Sequence, residues 1–152
     1  MSDDPHAGDE YDLIDVPTAV DYKRALKACR DAGALRDDIT ILKMLEVNYK
    51  AKDHTLTAGE LADSVKLADV IVANGHYGRF AKKLCKQLGR REPESRATRA
   101  GKELIWIAIL VKFSGGKAGS RRSDDESIRW TLLPELVTAL EETFFSHLQP
   151  QC

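Results

Sequence analysis

The side chains in this sequence best suited to a binding role are cationic. His76, Arg79, Lys83 and Lys86 recur at intervals of three and four, which sets them along one side of a helix. Arg90 follows just past the helix end. A stripe of this kind can neutralise phosphates, while a few neighbouring side chains reach base edges. The N-terminal part of a recognition helix does the reading. That implicates Asp69, Asn74, His76 and Arg79, with Asn74 towards the flank. A solvated helix face carries the same pattern. Two further basic stretches favour a polyanion. One is residues 90–102, RREPESRATRAGK, and the other is a loop bearing Lys117, Arg121 and Arg122. A single nucleic-acid ligand accounts for all three.

Catalytic chemistry finds less support. His6, His54, His76 and His147 lie far apart in the chain. Asp124-Asp125-Glu126 and Glu141-Glu142 are charge runs, and neither forms the carboxylate cluster that a metal-dependent nuclease needs. Cys85 and His76 fall on opposite faces of their helix, which suits a buried thiol. The GGKAGS stretch at 115–120 departs from G-x-x-x-x-G-K-[ST], follows a strand and opens no helix, so nucleotide binding is not expected there. The expectation is a non-enzymatic protein without metal or cofactor.

The totals fit one domain of 152 residues, with 43% hydrophobic and 31% charged residues. The net charge of −1 conceals an uneven distribution. Residues 1–15 hold six carboxylates and no Lys or Arg, whereas residues 79–102 hold nine Lys or Arg against Glu92 and Glu94. The tail could shield the basic middle or be inert. Cys29, Cys85 and Cys152 are too widely spaced for a disulfide framework or a zinc site, which fits a reducing, cytoplasmic compartment. The acidic N-terminus is unlike a signal peptide, and the apolar run at 104–111 is too short to span a bilayer. No membrane partner is expected.

These residues need elements to position them. Helices are predicted over 17–32 and 36–51, followed by a short strand at 55–57. Thr57-Ala58-Gly59-Glu60 is a capping box that opens a third helix. A turn at 66–68 leads to Asp69, the N-cap of a fourth helix over 69–88, and Gly89 ends it. Gly75 and Gly78 are unusual inside a helix. They point to close backbone approach, to a packed helix or to a phosphate, or to a helix that starts later, near Tyr77. Residues 104–113 read as a strand, 128–133 as its return, and 134–148 as a last helix led by Pro134. The order is that of an α+β, mainly α, winged helix-turn-helix. It has four helices, a β-hairpin wing at 104–133 and a C-terminal helix. The helix-turn-helix occupies 55–89 of a single domain, 17–152, behind a flexible acidic tail at 1–16.

Several stretches also resemble a small, uncharacterised bacterial winged helix-turn-helix family, of the kind that can accompany HNH-type restriction endonucleases. The family pattern is T-[IVL]-T-x-x-[EQ]-[LI]-A, a Gly-Tyr turn, then A-N-x-x-Y-G-x-[LF]. Thr55, Thr57, Glu60, Leu61, Ala62, Ala73, Asn74, Tyr77, Gly78 and Phe80 match it, while Lys66-Leu67 replaces the Gly-Tyr. The resemblance covers residues 20–142. It implies a bacterial or phage DNA-associated module, in transcription regulation, restriction or defence, and brings no catalytic residues. Two function classes follow. One is a binder of double-stranded DNA. The other is a protein–protein adaptor or inhibitor, or a homodimer, using the same fold. An enzyme subunit whose catalysis lies in a partner is a third reading.

Overall fold

The computed structural model describes residues 12–33, 39–67, 69–90, 94–95, 106–115 and 128–145. Among them are five α-helices and a three-stranded antiparallel sheet, an α+β arrangement that is mainly helical. Its layout is compatible with a winged helix.

Helix α1 (Ala19–Asp31) begins at Thr18, whose Oγ1 accepts from the Asp21 N–H at 3.1 Å. Its inner face is Tyr22, Ala25, Leu26 and Cys29. Helix α2 (Ile39–Lys50) buries Ile41, Met44, Leu45, Asn48 and Tyr49. A 3-10 turn (Lys52–His54) then delivers the chain to strand β1 (Thr55–Thr57). Helix α3 (Ala58–Ser64) carries the complete capping box. The Glu60 N–H donates to Thr57 Oγ1 at 3.1 Å, and the Thr57 N–H donates to Glu60 Oε1 at 2.9 Å. Those backbone and hydroxyl hydrogen bonds hold the Glu60 carboxyl below its ordinary pKa.

Helix α4 (Val70–Gln87) starts where Asp69 Oδ1 accepts from the Val72 N–H at 3.0 Å. A start near Tyr77 is therefore excluded. Val70, Ala73, Tyr77, Phe80, Ala81, Leu84 and Cys85 face inwards. The helix closes at Gly89, where φ is +75° and the Arg90 N–H reaches back to the Cys85 carbonyl at 2.9 Å.

Residues 104–113 differ from the predicted strand. A 3-10 turn occupies Trp106–Ile109, and strand β2 is Val111–Gly115. Residues 107–111 are buried without interruption, so the run lacks the alternation of a half-exposed strand. The turn packs on α4, and the Tyr22 hydroxyl donates to the Ile109 carbonyl at 2.6 Å. Strand β3 (Ile128–Leu132) pairs with β2 from Val111↔Leu132 to Gly115↔Ile128, and with β1 on its other side, giving the order β1-β3-β2. Val111, Phe113, Ile128, Trp130 and Leu132 point into the core, while Lys112 and Arg129 point out. Helix α5 (Pro134–Glu141) packs on α1 and is shorter than the predicted 134–148. A turn follows it, seats Phe145 in the core and leaves residues 146–148 outside the described residues.

The predicted tail boundary at residue 16 also needs correction. Residues 12–16 belong to the folded domain. Asp12 Oδ1 accepts from the Phe113 N–H on edge strand β2 at 2.8 Å, Leu13 pairs antiparallel with Ser95, and the Ile14 N–H donates to the Glu94 carbonyl at 2.9 Å. Leu13 and Val16 pack against the core. The acidity of this segment masked its anchoring role, because Asp12 supplies a backbone acceptor to a strand edge. Residues 1–11 lie outside the described residues. Among the described residues, no helix is long and apolar enough to cross a membrane.

The turn between α3 and α4 uses a lysine where the backbone favours glycine. Lys66 has φ +58°, its N–H donates to the Asp63 carbonyl at 3.2 Å, and the Leu67 N–H donates to the Ala62 carbonyl at 2.9 Å. That is the same closure as at Gly89, made with a Cβ in the left-handed region. Lys66→Gly should therefore stabilise the protein by about 1 kcal/mol, a rise in Tm of about 3 °C, read by thermal denaturation. An unchanged or lower Tm would show that the lysine is not strained there.

Candidate nucleic-acid interface

Helix α4 is clamped on three sides and open on the fourth. It packs against α1, α2, α3 and the 106–109 turn. Its inner face centres on Tyr77, whose hydroxyl accepts from Asn48 Nδ2 at 3.1 Å and donates to the Met44 carbonyl at 3.3 Å. The Tyr77 ring lies 5.5 Å from that of Trp130 on β3. Burial raises the Tyr77 phenol well above its ordinary pKa, so it remains a neutral, hydrogen-bonded anchor. With this side fixed, helical periodicity turns Ile71, Val72, Gly75, Arg79, Lys82 and Lys86 outwards.

The predicted site residues divide accordingly. Arg79, Lys83 and Lys86 are exposed on α4, and His76 is half-buried beside them. Arg79 Nη2 donates to His76 Nδ1 at 3.2 Å, because a guanidinium has only donors. Asn74 is half-buried on the flank. The Asp69 carboxylate is occupied in capping. Arg90 departs from the stripe. Its guanidinium bonds the Asp15 carbonyl and sits 3.7 Å from the Asp15 carboxylate, so it ties the N-terminal segment to the end of α4. Lys117, Arg121 and Arg122, on the loop between β2 and β3, lie outside the described residues.

Other exposed groups were missed by sequence reasoning. Lys82 lies on the outer face, with its Nζ 5.3 Å from the Trp106 ring centroid, a cation–π contact that steadies the ammonium. Its spacing of three from Arg79 was the available signal. Lys112 and Arg129 project from the outer face of the sheet, beside a hydroxyl pair in which Thr55 Oγ1 and Thr131 Oγ1 are 2.7 Å apart. Strict alternation along β3 pointed to Arg129. Helix α4 contains no Asp or Glu, and among the described residues no carboxylate pairs with Arg79, Lys82, Lys83 or Lys86. Among the described residues the face therefore carries four cations without a paired carboxylate, an arrangement that attracts anions and whose pull weakens with salt.

The glycines do not serve internal packing. Among the described residues, a Cβ on Gly78 would meet no atom within 4 Å, and one on Gly75 would meet only Arg79 Nη1 at 3.3 Å. Close approach to a packed helix is thus excluded as their reason. Cys29 and Cys85 are buried, and desolvation pushes both thiols up to about 11. Among the described residues, no group of three metal-ligating side chains gathers.

Comparison of the chain with protein-family models, curated proteins and solved structures finds no match.

Because Gly78 carries a helix-propensity cost without a packing return, Gly78→Ala should stabilise the fold by about 1 kcal/mol. Urea denaturation measures it. A loss of stability would reveal an internal contact at this position.

Proposed function

We propose that the protein is a winged helix-turn-helix that binds duplex DNA without catalysing a reaction on it. Helices α3 and α4 form the helix-turn-helix, β2 and β3 form the wing, and α4 enters the major groove. The element order and the β1-β3-β2 sheet agree with that fold. The observation that carries the functional reading is the outer face of α4, with Arg79, Lys82, Lys83 and Lys86 and no carboxylate among them. Lysine and arginine in that density match a phosphate backbone. Lys117, Arg121 and Arg122 on the wing loop extend the contact in this proposal. A role in bacterial or phage regulation, restriction or defence follows from the resemblance of residues 20–142 and is part of the same proposal.

A protein partner is the second reading, favoured by the exposure of Ile71 and Val72 on the same face. Salt dependence separates the two. Duplex affinity of the wild-type protein should fall steeply between 50 and 200 mM salt, roughly 10³-fold or more if six or more phosphates are contacted. In Arg79→Ala/Lys86→Ala the slope of log K against log salt should be shallower by about 2. Absence of detectable duplex binding at low salt would reject the DNA reading and favour the protein partner.

A further inference from the structure

The basic face of α4 is not uniformly basic. Its first turn presents Ile71, 59% exposed, and Val72, 37% exposed. The other large hydrophobic side chains exposed to this degree among the described residues, Ile14 and Val20, lie elsewhere, before and at the start of α1. Ile71 and Val72 contribute little to the core, while Val70 and Ala73 on either side of them are buried. Gly75 follows at four residues from Ile71 and three from Val72, and Gly78 follows three later. This spacing sets two residues without a Cβ beside the apolar pair, with Arg79 Nη1 3.3 Å from the position a Gly75 Cβ would take. Beyond the glycines come Arg79, Lys82 and Lys86. Read from its N-terminus, the outer face is apolar, then glycine, then cationic.

We propose that Ile71 and Val72 are the specificity-determining residues of α4 and read the 5-methyl groups of thymines in the major groove. This inference rests on the DNA-binding reading above. Charge and position favour DNA over a protein as the occupant. The cations downstream match a polyanion, and the apolar pair sits in the turn of a recognition helix that meets base edges. In the major groove the apolar group on a base edge is the thymine methyl, and aliphatic side chains recognise it by contact. A cytosine at the same place offers an N4 amino donor, which an isoleucine leaves unpaired. At Gly78, where a Cβ would meet no atom of the described residues within 4 Å, the groove wall can approach the backbone directly, while at Gly75 it meets the Arg79 guanidinium.

The test uses two synthetic duplexes of alternating A·T pairs, one with thymine and one with uracil, which removes only the methyl. The wild-type protein should bind the thymine duplex more tightly, by about fourfold for each methyl buried. Ile71→Ser/Val72→Ser should bind both duplexes alike, with an unchanged salt slope and an unchanged melting temperature, since both side chains are exposed. Equal binding of the two duplexes by the wild-type protein, still steeply salt-dependent, would overturn this inference and leave the phosphate-binding reading standing. A thymine preference that persists in the double variant would also overturn it, by placing the methyl contacts elsewhere. Failure of the wild-type protein to bind either duplex at low salt would reject both readings together.

Discussion

The fold hangs on Tyr77. Its ring is fully buried against Trp130 of β3, and its hydroxyl joins the Asn48 side chain and the Met44 carbonyl of α2. One side chain on α4 therefore fastens the helix to the sheet and to α2. Buried polar groups must be paired to be tolerated, and here the pairing runs between elements rather than within one. Asn48 Oδ1 and Trp130 Nε1 remain without a partner among the described residues. The Tyr77 hydroxyl pairs the other half of the Asn48 amide, and its directional bonds to Asn48 Nδ2 and the Met44 carbonyl fix the rotation of α4 about its axis.

That rotation decides what the helix shows to solvent. A turn of one residue, about 100°, would bring cationic side chains towards the core. Held as it is, α4 keeps every Lys and Arg between residues 79 and 86 exposed and buries a continuous apolar face. Both ends are fastened by hydrogen-bonded caps, Asp69 at the start and Gly89 at the close. The segment at residues 12–16 adds a brace, with Asp12 on β2 and Asp15 on Arg90. A rigid helix with a preset face suits recognition, because little ordering remains to be done on binding.

Much of this was legible in the sequence, and for local reasons. The capping box at Thr57 and Glu60, the Asp69 cap and the Gly89 closure are each written in a few adjacent residues. The alternation of Ile128, Trp130 and Leu132 likewise fixed β3. What stayed hidden depends on distant contacts. The apolar run at 104–113 has one pattern for a buried strand and a buried turn, and the Tyr22 bond to Ile109, from 87 residues away, accompanies the turn. Asp12 and Asp15 look like solvated charge until Phe113 and Arg90 are placed beside them. Arg90 looked like part of the stripe because its partner lies 75 residues earlier. The glycines at 75 and 78 could not be assigned to packing or to a ligand until their surroundings were known. Open space at Gly78 removes packing from that choice.

Duplex binding at the outer face of α4 is the proposal on which the thymine reading also rests. Backbone amide NMR titration of the full chain with a short duplex at low salt tests it most directly. The largest shifts should fall on α4 between Ile71 and Lys86, while core amides at Asn48 and Leu26 stay in place. Shifts confined to α1 and α5, or no shifts at saturating duplex, would contradict it.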